Sequence, residues 1–136
     1  RAELRHCELN EDGASHIYVG GAARVRLVHS TCNCSVGGNG WRVTGCGSSI
    51  SARNSQASKN RYSGAYTNDN SSVMLEQSSC HDNGDYGWYA WSSSLTAWES
   101  SSMGNGKANA YEEGNGRIIL RGICKMGGQS VLKASD

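Results

Sequence analysis

Apolar positions come in short runs along the chain, and within most runs they fall at every second residue. From His16 to Val28 the apolar residues are Ile17, Val19, Val25, Leu27 and Val28, broken by Gly20-Gly21, and Val25 and Leu27 alternate with Arg24 and Arg26. Alternation puts successive side chains on opposite faces of an extended chain, so a half-buried strand is predicted here. Gly37 to Gly40 reads as a tight turn into a short strand at Trp41, Arg42 and Val43, a hairpin-like unit. Ser72 to Gln77 and Asp85 to Trp91 are β-branched or aromatic runs bounded by Asn and Gly, which suits two more strands. Ala108 to Glu113 and Arg117 to Cys124 flank Gly114-Asn115-Gly116 and predict a second hairpin, the strongest local signal in the chain.

Two segments read as helices. Ser48 to Asn60 has Ser48 or Ser49 as N-cap, apolar Ile50, Ala52 and Ala57, and no Gly. Ser93 to Met103 has Glu99 three residues after Thr96, a capping-box-like start, and Gly104 as its stop. The junctions that lead into them echo one another. Gly40-Trp41-Arg42-Val43 followed by Ser48-Ser49-Ile50-Ser51-Ala52 matches Gly87-Trp88-Tyr89-Ala90 followed by Ser93-Ser94-Leu95-Thr96-Ala97 at an offset of 45 to 47 residues. The order β-β-α-β-β-α-β-β follows. It predicts an α+β fold in one domain over residues 1–136, an antiparallel sheet with two helices packed on it as an α/β sandwich.

Composition thins the expected core. Gly, Ser and Asn fill 50 of 136 positions, only 37% of residues are hydrophobic, and Phe and Pro are absent. Trp and Tyr must then supply the large core side chains. On a strand Tyr86 and Trp88 face one side while Tyr89 and Trp91 face the other, so one pair serves the core. The other offers a binding surface for a sugar or a protein.

Six cysteines, Cys7, Cys32, Cys34, Cys46, Cys80 and Cys124, are scattered without a CxxC pair. An even, dispersed set predicts three disulfides in an oxidising compartment, each adding about 2–4 kcal/mol and together offsetting the thin core. Cys32 and Cys34 are too close in sequence to bond each other readily and reach different partners; the pairing stays open. A chain beginning at Arg1 reads as the processed form of a secreted protein, and the sequons at Asn33 and Asn70 are compatible with that compartment.

Charge narrows the partners. Thirteen Lys and Arg against twelve Asp and Glu leave a net of +1 without a block of like charge, which disfavours a nucleic-acid or anionic-membrane binder. No apolar run approaches the length of about 18 residues that would span a bilayer. A secreted nuclease could draw on His29 or His81, Glu112 or Glu113, and Arg117, but their order and spacing match no nuclease pattern. His29-x2-Cys32-x-Cys34 and Cys80-His81 offer soft metal ligands without the paired knuckles of a structural zinc site. Gly-x-Ser-x-Gly and a Gly-Lys-Ser/Thr phosphate loop are both absent. No catalytic residue, metal or cofactor is assigned.

Gly45-Cys46-Gly47-Ser48-Ser49-Ile50-Ser51-Ala52, with Ser63-Gly64 downstream and Cys32-Asn33-Cys34 before it, resembles the small secreted killer toxins of smut fungi and related effectors of plant-pathogenic fungi. The resemblance covers about 35 residues, and it departs from those families at Tyr62 and across the C-terminal third. It implies an α/β sandwich, extracellular action and no enzymatic activity. The expectation is a secreted, monomeric toxin or virulence effector that binds an extracellular or host target. A carbohydrate-binding module that stacks sugars on Trp88, Trp91 or Tyr89 is the alternative, and a small ribonuclease comes third.

Overall fold

The computed structural model describes residues 1–10, 13–127 and, as backbone, 132–133; these form strands, corners and no helix. Eighteen short strands follow one another in a repeating triplet. The first sheet contains β1 (Ala2–Arg5), β4 (Arg24–Val28), β7 (Ser49–Arg53), β10 (Ser72–Glu76), β13 (Ser94–Trp98) and β16 (Arg117–Arg121). The second contains β2 (Glu8–Asn10), β5 (Thr31–Asn33), β8 (Gln56–Ser58), β11 (Ser79–His81), β14 (Ser101–Met103) and β17 (Lys125–Met126). The third contains β3 (Ile17–Val19), β6 (Trp41–Thr44), β9 (Ala65–Asn68), β12 (Tyr86–Trp91), β15 (Ala108–Glu113) and β18 (Leu132–Lys133). Every pairing is parallel and joins strands one turn of the chain apart, so the chain winds as a three-sided solenoid.

Register sets the interior. Leu4, Leu27, Ala52, Leu75, Ala97 and Leu120 form one column, successive members 22 to 25 residues apart, and Val25, Ile50, Val73, Leu95 and Ile118 form its neighbour. On the third sheet Trp41, Ala65, Trp88 and Ala110 make a column in which large and small side chains alternate. Leu9, Cys32, Ala57, Cys80, Ser102 and Met126 line the second sheet. Small residues on that wall leave room for the indoles of the third, and the columns share one buried cluster.

The corners account for the wealth of Ser and Asn. Between the first and second sheets His6, His29, Asn54, Gln77 and Glu99 take the left-handed conformation, φ 47 to 52°, with Gly122 at 67° continuing the column. The next residue is Ser30, Ser55, Ser78 or Ser100, and each hydroxyl accepts the backbone N–H of the preceding turn's residue, Cys7, Ser30, Ser55 or Ser78, at 3.1–3.3 Å. Each hydroxyl also donates to a carbonyl two residues back, as Ser55 does to Arg53 at 2.9 Å and Ser78 to Glu76 at 3.0 Å. Between the second and third sheets Asn60, Asn83 and Asn105 form a second ladder, the Oδ1 of each accepting a backbone N–H from Ser35, Asn60 and Asn83 at 3.0–3.1 Å. Buried backbone donors at a bend are thereby satisfied by short side chains at fixed spacing.

Four expectations are corrected. Ser48 to Asn60 holds β7 and β8 around a left-handed Asn54, and Ser93 to Met103 holds β13 and β14 around a left-handed Glu99. Ile50 and Ala52, like Leu95 and Ala97, are spaced by two and point inward, so strand alternation decides what the Ser caps had suggested. Those serines cap corners: Ser48 Oγ accepts the Ala22 N–H at 3.0 Å and Ser93 donates to the Thr67 carbonyl at 2.7 Å. The hairpins are also corners, since β15 and β16 flank Gly114-Asn115-Gly116 yet lie in different sheets. The α+β antiparallel sandwich is thus replaced by an all-parallel β-solenoid. No disulfide links the six cysteines: Cys32 and Cys80 fill inward positions two turns apart, Cys46 is exposed at a corner, and Cys7 and Cys124 occupy the column of the corner serines. Corner hydrogen bonds and a continuous core supply the order that cross-links were expected to supply.

Candidate functional site

The outward column of the third sheet stands apart. Tyr18, Arg42, Tyr66, Tyr89 and Tyr111 are direct neighbours in register on β3, β6, β9, β12 and β15. Neighbouring parallel strands are about 4.8 Å apart, so outward side chains at one register position form a stack along the solenoid axis. The Arg42 guanidinium lies 5.4 Å from the Tyr18 ring centroid and 5.8 Å from that of Tyr66. Tyr66 meets Tyr89 edge-to-face at 4.6 Å, and Tyr89 meets Tyr111 in the same way at 5.0 Å. Tyr86 adds a flank, parallel to Tyr111 at 4.4 Å and edge-on to Tyr89 at 5.1 Å.

Polar groups frame this surface. The Tyr89 hydroxyl donates to Glu113, and Lys107 sits 5.8 Å from the Tyr86 centroid while pairing with Asp85 at 3.3 Å. Burial among the rings raises the phenols of Tyr66, Tyr86 and Tyr89, with the Glu113 hydrogen bond raising Tyr89 further, so all three stay neutral well into alkaline conditions. At the β3 end the column opens into a concavity lined by Ser15, Tyr18, Gly38, Asn39, Arg42 and Tyr62. Tyr18 is 60% exposed and Tyr62 42%, whereas Tyr66, Tyr86, Tyr89 and Tyr111 are half-buried. Gly38 is required there, because a Cβ would lie 2.3 Å from the Ser15 backbone nitrogen. The result is an aromatic strip of mostly edge-to-face rings ending in a polar notch.

Of the residues expected from sequence to form a binding surface, Tyr86, Tyr89 and Trp91 reach the outer side, with Trp91 44% exposed. Trp88 is fully buried between Ala65 and Ala110 and faces no ligand. Tyr86 breaks the expected alternation: it joins the outer rings of Tyr89 and Tyr111, whereas Gly87 and Trp88 after it are both buried. Tyr18, Arg42, Tyr62, Tyr66 and Tyr111 were missed, and the signal for four of them was their recurrence every 22 to 24 residues. The nuclease set does not converge: His29 is at the first corner and stacks on His6 at 5.1 Å, His81 is on the second sheet, and Glu113 is on the third. Glu112 accepts the Ile118 N–H at 3.4 Å, across the corner that leads to Arg117.

A family model described as right handed beta helix region matches residues 1–123. No curated protein and no solved structure matches the chain. The match overturns the resemblance to fungal killer toxins and effectors. Gly45 to Ser48, which carried it, are a corner, and Ser49 to Ala52 lie in β7.

Proposed function

The chain belongs to the right-handed beta-helix family, and from that premise we propose that it is a non-enzymatic binding protein whose ligand is a glycan stacked on the third sheet. The carrying observation is the column Tyr18, Arg42, Tyr66, Tyr89 and Tyr111 with its polar notch. Tyrosine offers the apolar face of a sugar a rigid ring and offers its hydroxyls a hydrogen-bonding tip, at small conformational cost. Repetition along the axis suits an extended chain of similar units, each resting on a successive turn. The notch supplies Asn39, Ser15 and Arg42 to orient a terminal unit. Binding without bond cleavage fits a strip whose flanking carboxylates are engaged, Glu113 by Tyr89 and Asp85 by Lys107.

A glycan array followed by titration of the best hit is the test. Tyr18→Ala and Tyr66→Ala each lower affinity about tenfold while the protein stays folded. An array without hits, or hits indifferent to both changes, overturns the reading.

A further inference from the structure

The outer face of the first sheet departs from the near-neutral balance of the chain. Its strands carry Arg5, Arg24, Arg26, Arg53, Arg117 and Arg121 against only Glu3 and Glu76, although the whole chain has a net charge of +1. At the β1 end this face holds a concavity lined by Arg1, Glu3, Arg24, Arg26, Ser49 and Ser51.

The register explains its charge. Ala2 lies opposite Val25, so the preceding residues Arg1 and Arg24 are placed one rung apart, and Glu3 lies opposite Arg26. Glu3 is shared, contacting Arg5 and lying 3.9 Å from Arg26. Among the described residues neither Arg1 nor Arg24 has an acidic partner. Like charges on directly opposed strands are destabilising unless something between them is negative. On the next turn Ser49 lies opposite Arg24 and Ser51 opposite Arg26, adding hydroxyl donors beside the guanidiniums.

We propose that this concavity binds a tetrahedral oxyanion, a phosphate or sulfate group. Arg24 and Arg1 supply the two uncompensated charges, Arg26 a further fork of N–H donors, and Ser49 and Ser51 the hydroxyls. Guanidinium forks match the oxygens of such a group in a two-point geometry that an ammonium cannot reproduce. The site is on a different sheet from the tyrosine column and does not depend on it.

Calorimetric titration in low-chloride buffer tests this with three probes: inorganic phosphate, inorganic sulfate and a sulfated oligosaccharide. Saturable binding of at least one probe is expected, weakened about tenfold or more in Arg24→Gln and in Arg26→Gln. Arg24→Lys keeps the charge and the fold, and binds more weakly than wild type because the fork is gone. Arg53→Gln, which leaves the concavity intact, and Tyr66→Ala, which alters the other face, bind as wild type does. Free ions that bind as tightly as the oligosaccharide identify a free anion as the ligand. A clear preference for the oligosaccharide identifies the same group on a polymer. No saturable binding of any probe, or affinity unchanged in the Arg24→Gln, Arg26→Gln double variant, overturns the proposal.

Discussion

The first and third sheets have the same parallel geometry and the same number of turns, yet their outer columns behave oppositely. On the third, tyrosines stacked at the rung spacing attract one another edge-to-face, and Arg42 lies between two rings, so the column stabilises itself. On the first, the same spacing puts Arg1 beside Arg24, and the repulsion calls for an anion. Their inner columns differ much less. Aliphatic residues on one side and alternating Trp and Ala on the other both fill a shared interior. A solenoid constrains what points inward and multiplies whatever points outward, because any outer residue type that recurs becomes a column.

The largest break in this comparison is expected on the third sheet itself. Trp88→Ala, inward and fully buried, destabilises the protein by about 3–5 kcal/mol, whereas Trp91→Ala, three residues along the same strand and 44% exposed, changes stability by no more than about 0.5 kcal/mol. Chemical denaturation of the pair measures this; similar losses for both would refute the inner and outer assignment. Next in size, Asn83→Ala removes the acceptor for the Asn60 N–H and the donor to the Ala57 carbonyl. Leaving buried groups unpaired lowers stability by about 2–3 kcal/mol. Asn115→Ala, at a corner outside the ladder, serves as the comparison.

A smaller effect depends on pH. Burial holds the Cys80 thiol above its ordinary value, so the native state keeps it protonated where the unfolded chain ionises it. The stabilisation is complete below the ordinary thiol pKa of about 8.5 and is lost as pH rises above it, by up to about 1.4 kcal/mol per pH unit. The buried phenols add to the loss above their own ordinary value of about 10. Cys80→Ala flattens the slope between about pH 8.5 and 10 in urea unfolding; a slope equal to wild type would show that the thiol does not contribute. The smallest effect lies on the first sheet. Arg24→Ser relieves the repulsion with Arg1 and raises stability by a few tenths of a kcal/mol in dilute buffer, a gain that disappears in about 1 M salt. A gain that persists at high salt would point to a cause other than charge.

Much of this was legible in local pattern. Alternation placed Val25 and Leu27 inward against Arg24 and Arg26. The echo between Trp41 and Trp88 was real but spans two turns of the solenoid, since Ala65 sits between them in register. Small Ala65 hid the intervening turn, and with it the period that would have aligned Tyr18, Arg42, Tyr66, Tyr89 and Tyr111. The Ser and Asn content read as loop and cap material. At a fixed position in every turn the same residues are corner ladders instead.

Where alternation runs unbroken, as over Arg24–Val28, the strand and the parity of its side chains follow from the amino-acid sequence by itself, because both depend on residues a few positions apart. Ser48 to Asn60 and Ser93 to Met103, which read locally as helices, became strands only through the stacking of turns. Which strands pair was decided only by the tertiary structure. Gly114-Asn115-Gly116 suits a hairpin locally, but folding back would leave the inward faces of β15 and β16 without the columns that cover them one turn earlier. Parallel stacking buries those faces together and satisfies the corner N–H groups through Ser30, Ser55, Ser78, Ser100, Asn60, Asn83 and Asn105. That gain comes from residues 22 to 25 positions apart, beyond the reach of any local signal.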